Sequence, residues 1–359
     1  MSARCQFPLD ARWNQKKGKP EYMQSLQLDS VSLRCQVEQW PLTEPFSITG
    51  HTFETIDVLL VSVEKDGVMG RGEATGVYYK DDRPVSMLPI IEGVRAQIES
   101  RVSRISLQKM LPPGGARNAL DCALWDLEAK LSDCPAWQLA GLEGQKPLMT
   151  TFGCGADSPS RMAAVAAGYK DARAIKIKLT GEPVDIDRIR AVRSARPDVW
   201  LAVDANQGFT LSFLERMMPV LVEANVELIE QPLPIGQESL LDGFRSPIPI
   251  AADESLQSHE DFPRLAGRFD VVNLKLDKCG GLTEALALAR AAHELGMKTM
   301  VGNMIGTSLA MAPATLVGQL CSVVDLDGPI FLASDRADPA DYANGSITCP
   351  PSLWGWPTA

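Results

Sequence analysis

The chain has 359 residues, 45% of them hydrophobic and 22% charged, which is long enough for two domains around a large core. Its formal net charge of −10 argues against nucleic acid or an anionic membrane surface as the main partner. No uninterrupted apolar run approaches the roughly 20 residues that span a bilayer. Eight cysteines, at 5, 35, 122, 134, 154, 279, 321 and 349, form no Cys-x-x-Cys and no paired framework. They read as reduced, mostly buried thiols of a cytoplasmic protein.

Residues 1–27 are polar and basic, without periodicity and without the apolar middle of a secretory signal. They read as a flexible extension, and Met23 offers an alternative start. Val31 to Val37 and Thr55 to Glu64 alternate or run apolar as strands do, and Asp66-Gly67 supplies a hairpin turn. A helix is predicted from Pro84 to about Arg101. Another is predicted from Gly115 to Ala140, with Ala119, Leu120, Ala123, Leu124 and Leu127 on one face. Together these give an α+β domain over residues 28–146.

From Pro147 the texture changes to short apolar runs: LMTTFG, AIKIKL, WLAVDAN, VELIEQP, PIAADE, VVNLKL, KTMVGNM and SVVDLDG. Helical stretches fall between most of them, at Asp185–Ala195, Leu211–Ala224, His259–Leu265, Leu282–Leu295 and Leu309–Leu320. Eight strands at near-regular spacing predict an α/β fold of the closed parallel barrel type over residues 147–332, not an open sheet. The Pro- and Gly-rich residues 333–359 do not continue the repeat and are expected to pack back on the first domain.

In such barrels the site forms where the strands end. The polar residues there are Lys176 and Lys178, Asp204, Glu230, Asp253, Lys275, and Asp325 with Asp327. From Lys178 to Asp325 the intervals are 26, 26, 23, 22 and 50 residues, the last spanning two units. Singly, each has a plain structural explanation. Lys-x-Lys suits a solvated strand face, Asp253-Glu254-Ser255 an N-cap, and Glu230-Gln231-Pro232 a strand stopped by proline. In register with the barrel period they make chemical sense together. Three carboxylates from adjacent strands suit Mg²⁺. A lysine on either side of them suits acid and base, with neighbouring positive charge expected to lower one lysine's pKa.

These residues resemble the enolase superfamily, specifically its muconate lactonizing enzyme subgroup, over nearly the whole chain from about residue 28. The motifs are Ile175-Lys176-Ile177-Lys178, Asp204-Ala205-Asn206-Gln207, Ile229-Glu230-Gln231-Pro232, Asp253-Glu254-Ser255 and Asn273-Leu274-Lys275-Leu276. The resemblance implies a modified TIM barrel, (β/α)7β, with an N-terminal capping domain. It implies Lys178 and Lys275 as the acid/base pair, and Asp204, Glu230 and Asp253 as ligands of Mg²⁺. Lys176 would tune Lys178 and touch the substrate carboxylate. Asp325-Leu326-Asp327 looks like the Asp-x-Asp with which dipeptide epimerases receive a dipeptide's ammonium. The run Gly302–Leu309, with Asn303 and Ile305, also looks like theirs, and Thr151 fits a substrate-contacting position. The capping loop departs from the pattern: Thr49-Gly50-His51-Thr52-Phe53 lacks the arginine of some L-Ala-Glu epimerases, for which Arg83 or Lys80 could substitute. His51 and Phe53 are expected to line the specificity pocket.

The resulting expectation is a Mg²⁺-dependent isomerase that epimerises dipeptides, of the L-Ala-D/L-Glu type, by two-base 1,1-proton transfer. Such an enzyme would serve cell-wall peptide recycling as a cytoplasmic homo-oligomer. The alternatives are a muconate cycloisomerase, an o-succinylbenzoate synthase or an N-succinylamino acid racemase, whose substrates carry no ammonium for Asp325 and Asp327.

Overall fold

Alternating apolar residues near the start of the chain form a three-stranded antiparallel sheet in the computed structural model, which describes residues 24–357. The extension expected over residues 1–27 lies, for residues 1–23, outside the described residues. The strands are β1 (Ser32–Ile48), β2 (His51–Lys65) and β3 (Val68–Ala74). Asp66 and Gly67 both take positive φ, as a tight hairpin turn requires. β1 and β2 run past the predicted ends as a ribbon that reaches Ile48 opposite His51, with a register break between Pro41 and Phe46. Pro41 and Pro45 lack the N–H of a ladder residue, which hid this part of the strand in the sequence.

Three helices follow: α1 (Pro84–Ser100), α2 (Arg104–Met110) and α3 (Gly115–Leu131). α3 is buried on every side along most of its length, because it lies between the sheet and the barrel. It approaches β3 so closely that a Cβ on Gly70 would stand 2.2 Å from the Ala123 carbonyl oxygen, and one on Gly72 2.1 Å from that of Ala119. The single helix expected to Ala140 instead stops at Leu131. Asp133 turns left-handed (φ 48°), Pro135 cannot continue the ladder, and a short helix resumes over Ala136–Leu139.

The barrel strands are β4 (Thr151–Cys154), β5 (Ala174–Lys178), β6 (Trp200–Asp204), β7 (Leu228–Glu230), β8 (Ile250–Ala252), β9 (Val271–Leu274), β10 (Lys298–Val301) and β11 (Val323–Val324). Each pairs in parallel with the next. Helices α4 (Pro159–Gly168), α5 (Asp185–Ala195), α6 (Leu211–Glu223), α7 (Leu282–Glu294) and α8 (Ser308–Gly318) cover the outside. The helix predicted over His259–Leu265 is a 3-10 turn running into a single α-helical turn. LMTTFG divides: Leu148–Met149 pair antiparallel with Ser346–Ile347, and only Thr151–Cys154 enters the barrel.

No ladder joins β11 to β4. Side chains close that seam. Thr150 Oγ1 accepts from Leu326 N at 2.9 Å, Asp327 Oδ2 accepts from Gly153 N at 2.6 Å, and Thr151 Oγ1 donates to Asp325 Oδ1. The end of the chain returns to α3, where Trp354 Nε1 donates to the Cys122 carbonyl at 3.1 Å and Gly355 N to Asp126 Oδ1 at 2.7 Å. Among the described residues no helix is long and apolar enough to cross a membrane.

Candidate active site

Strand alternation sends Ile175 and Ile177 to one face of β5 and Lys176 and Lys178 to the other, toward the barrel axis. The ladder then sets the polar residues side by side, Lys178 opposite Asp204 and Asp204 opposite Glu230. Asp253 follows β8, and Lys275 follows β9. Just beyond the ends of β6 and β7, Asn206 (φ 41°), Gln207 (φ 68°) and Gln231 (φ 35°) hold left-handed conformations that such residues seldom adopt. Gln231 is held there by its own side chain: Oε1 accepts from Asp253 N at 2.9 Å and Ser255 N at 3.1 Å. The backbone strain thus fixes where Asp253 stands.

Asp204, Glu230 and Asp253 are fully buried and each brings an oxygen within 4.8 Å of the others'. Every one is met by an ammonium group. Lys178 Nζ donates to Asp204 Oδ2 at 2.6 Å, Lys176 Nζ to Glu230 Oε2 at 3.0 Å, and Lys275 Nζ to Asp253 Oδ2 at 2.7 Å. Lys278 Nζ donates to Asp253 Oδ1 at 2.6 Å, and Lys176 also pairs with Asp325. Asn273 Nδ2 donates to Glu230 Oε1 at 2.6 Å. Four lysines thus face four carboxylates in a site nearly shut off from water.

The consequences for protonation follow. Burial, seconded by Asp204, pushes Glu230 up to about 7. Burial likewise pushes Glu254, beside Asp253, up to about 8. Burial opposes ionisation of Asp253 too, yet Lys275 and Lys278 hold its carboxyl well below the usual range. Around two of the lysines the carboxylates dominate. Burial would lower Lys176 and Lys275, but Asp325, Glu230 and Asp204 around the first, and Asp253 and Glu230 around the second, carry both well above the usual lysine value. Carboxylates, more than neighbouring ammonium groups, set the local field.

Above these residues opens a cavity of about 350 Å³. Lys178, Asn206, Asp253, Glu254 and Lys275 form its barrel side, and Asn303, Met304 and Ile305 one wall. The first domain supplies the roof. His51 packs edge-on to Phe53 at 4.2 Å between ring centroids and stacks on Tyr78 at 5.4 Å, and Tyr79 meets Tyr78 edge-on at 5.1 Å. Thr75 Oγ1 donates to the Ile305 carbonyl at 2.9 Å and ties roof to wall.

The residues singled out in the sequence fall into three groups. Lys176, Lys178, Asp204, Glu230, Asp253 and Lys275 converge in one charged cluster. His51, Phe53, Asn303 and Ile305 line the cavity, as does Arg83 beside its partner Asp81, whereas Lys80 is not part of the lining. Thr151, Asp325 and Asp327 lie behind the lining, in the seam next to Lys176. There Asp325 is held low by Lys176 against the effect of burial, and Asp327 is pushed up to about 7 by burial and by Asp325. Sequence reasoning passed over Lys278, Glu254, Asn206, Asn273, Tyr78 and Tyr79. For Lys278 the signal was present. Gly280-Gly281, both with positive φ, mark a chain turned tightly after Lys275, which folds Lys278 back onto Asp253.

Residues 30–141 match the family described as mandelate racemase / muconate lactonizing enzyme, N-terminal domain, and residues 160–353 that described as enolase C-terminal domain-like. The chain belongs to this family. It is 38% identical over 312 residues to an L-Ala-D/L-Glu epimerase of Escherichia coli (strain K12), covering 86% of this chain and 97% of that one. It is 43% identical over 250 residues to an N-acetyl-D-glutamate racemase of a Pseudoalteromonas species, covering 68% and 78%. Among solved structures, an enolase family member from Agrobacterium tumefaciens with homology to dipeptide epimerases, seen with bound sodium and L-Ala-L-Glu, superposes with a TM-score of 0.87. It is 39% identical, over 90% of this chain and all of that one.

Proposed function

We propose that the chain is a Mg²⁺-dependent epimerase of dipeptides, of the L-Ala-D/L-Glu type, which moves a proton between the two faces of one α-carbon. The observation that carries this reading is the placement of Lys178 and Lys275. They end the second and sixth strands of an eight-strand barrel, on opposite sides of its axis, and both face one cavity across the carboxylate cluster.

The cluster suits a hard divalent cation. Asp204, Glu230 and Asp253 offer only oxygen, and beside them Asn206 Oδ1 and Glu254 Oε2 are buried without a hydrogen-bond partner. Bound by these three carboxylates, Mg²⁺ supplies positive charge to a substrate carboxylate as the loss of the α-proton gives it a second negative charge. The chain's own groups do the rest. With Asp204 and Asp253 engaged by the cation and not by Lys178 and Lys275, one of these lysines, in its neutral form, would take the α-proton onto Nζ, and the bond's electron pair would pass into the carboxylate as an enediolate. The ammonium of the other returns a proton to the opposite face, and reversal of the roles runs the reaction backward. Lys176, fixed by Glu230 and Asp325, presents charge to the carboxylate end of the substrate. The roof of Phe53, Tyr78 and Tyr79, with the exposed His51 at its rim, narrows the access of water, which strengthens the charge interactions beneath it. Residues 28–146 act as the cap in this reading, 147–332 as the catalytic barrel and 333–359 as a strap between them. Work in the cytoplasm on peptides released from the cell wall, as a homo-oligomer, is part of the same proposal.

A second reading has a specific observation behind it. Asp325 is already paired with Lys176, and burial together with Asp325 pushes Asp327 up to about 7, so the seam suits an uncharged acyl-amide as well as an ammonium. The same two lysines would then racemise an N-acylated amino acid such as N-acetylglutamate. Proton NMR in D₂O with enzyme and Mg²⁺ decides between them. Loss of the α-proton signal of the second residue of L-Ala-L-Glu, with appearance of the L,D form, supports the dipeptide reading. Exchange in N-acetylglutamate alone selects the second, and exchange in neither rejects both.

A further inference from the structure

A second cavity, of about 230 Å³, lies between the ribbon residues Thr43–Ser47 and α4. One side chain lines both it and the catalytic cavity, that of Phe46. Its ring packs on Phe331, which lines the second cavity alone, with 4.5 Å between centroids and planes inclined at 48°, so Phe46 stands between the chambers with Phe331 backing it on the far side. What lies at the foot of the partition is telling. A Cβ built on Gly153 would stand 2.8 Å from Asp327 Oδ2, 3.1 Å from Phe331 Cζ and 3.8 Å from Phe46 Cζ. The tips of both rings therefore border the same glycine as the carboxylate to which the proposed function brings the substrate's amino end.

We propose that the Phe46–Phe331 pair sets the size of the group carried at that end: a small one, alanyl or acetyl, stops against the rings, and the chamber behind them is the space a bulkier one would need. This rests on the proposed function and holds for either of its two readings, since both put a short group on the nitrogen. Three features make the pair a partition and not merely part of the core. Both rings are only partly buried and belong to a small satellite cluster apart from the two main ones. Phe46 stands where the ribbon resumes after its register break, in the last three pairs of the ladder, and Phe331 ends the 3-10 turn that follows Asp327. The rest of the far chamber's wall is built independently of them: Tyr169 Oη donates to the Gly153 carbonyl at 3.0 Å, and Met162 and Val165 line it as well.

The test uses the full chain with Mg²⁺ and compares exchange rates in D₂O for L-Ala-L-Glu and L-Leu-L-Glu. In Phe331→Ala, and more weakly in Phe331→Leu, the ratio of kcat/KM for the leucyl over the alanyl substrate should rise about 10-fold or more over wild type, the scale on which a pocket discriminates an added methylene. Val165→Phe added to Phe331→Ala refills the chamber and should return the ratio toward wild type. If the alanine variant does not fold, Phe331→Leu carries the measurement. Should wild type act only on N-acetylglutamate, the same ratio is read with N-acetylglutamate and N-(4-methylpentanoyl)glutamate. An unaltered ratio in folded variants, with wild type active, overturns the partition and leaves the proposed function standing. A wild type inactive on both substrate classes overturns the two together.

Discussion

Replacing Asp327 by asparagine separates the two substrate readings. The carboxylate accepts from Gly153 N at 2.6 Å through Oδ2 and faces Asn303 Nδ2 at 3.4 Å through Oδ1. In Asp327→Asn the carboxamide oxygen takes over the bond from Gly153, which leaves an NH₂ group toward Asn303 and toward an arriving ammonium, donor against donor. Asp325 cannot compensate, because Lys176 already holds it. The variant therefore loses a charge-assisted hydrogen bond outright, about 2–3 kcal/mol, or roughly 30- to 150-fold in kcat/KM for L-Ala-L-Glu. N-Acetylglutamate, with no ammonium, should change little, and Mg²⁺ affinity measured by calorimetry should not change. There is a pH signature as well. With Asp327 pushed up to about 7, its carboxylate gains charge as pH rises through that value. Wild-type kcat/KM for the dipeptide should thus rise as pH increases through about 7, and this limb should vanish in the variant. Equal losses for both substrates, or a parallel loss of Mg²⁺ binding, would show that Asp327 serves only to close the barrel.

Lys178→Ala and Lys275→Ala should each abolish epimerisation, yet each should still exchange the α-proton of one epimer with D₂O. Full activity in either variant refutes the two-base assignment. Removing the divalent ion with a chelator should stop turnover and exchange alike, with recovery on adding Mg²⁺; exchange that survives in the chelated enzyme refutes a role for the cation. Far from the site, Arg104 is 1% exposed, pairs with Glu128 at 2.7 Å and lies 3.6 Å above the Trp125 ring. Glu128→Gln should cost about 1.5–3 kcal/mol in chemical denaturation by removing the carboxylate that accepts from Arg104 Nε, with the buried Asp121 left near the guanidinium. A cost under about 1 kcal/mol would mean that water reaches the guanidinium.

The barrel and its charged cluster were legible because two periodicities coincide. Strand alternation puts Lys176 and Lys178 on one face, and a repeat of about 25 residues returns Asp204, Glu230, Asp253 and Lys275 to the same level. What the sequence hid was whatever depends on packing between distant segments. Nothing local distinguishes Leu148–Met149, which pair with the tail, from Thr151–Cys154, which enter the barrel. Tyr78 and Tyr79 reach the cavity from a 3-10 turn with no pattern of its own, and their place is set by the fit of one domain on the other. The carboxylate partners of Lys176 and Lys275 come from other strands, so their part in the field around these lysines could not be read from the Lys-x-Lys motif alone.

The seam between the first and last barrel strands has an evolutionary consequence. Thr150, Thr151 and Gly153 meet Leu326, Asp325 and Asp327 there through side chains, so the groups that would select the substrate's amino end also keep the cylinder shut. A descendant of this chain could not trade those aspartates for another recognition element without re-stitching the barrel wall. Compensating exchanges would have to arise at positions 150, 151 and 153, and new preferences would come more cheaply from the aromatic roof, where no seam is at stake.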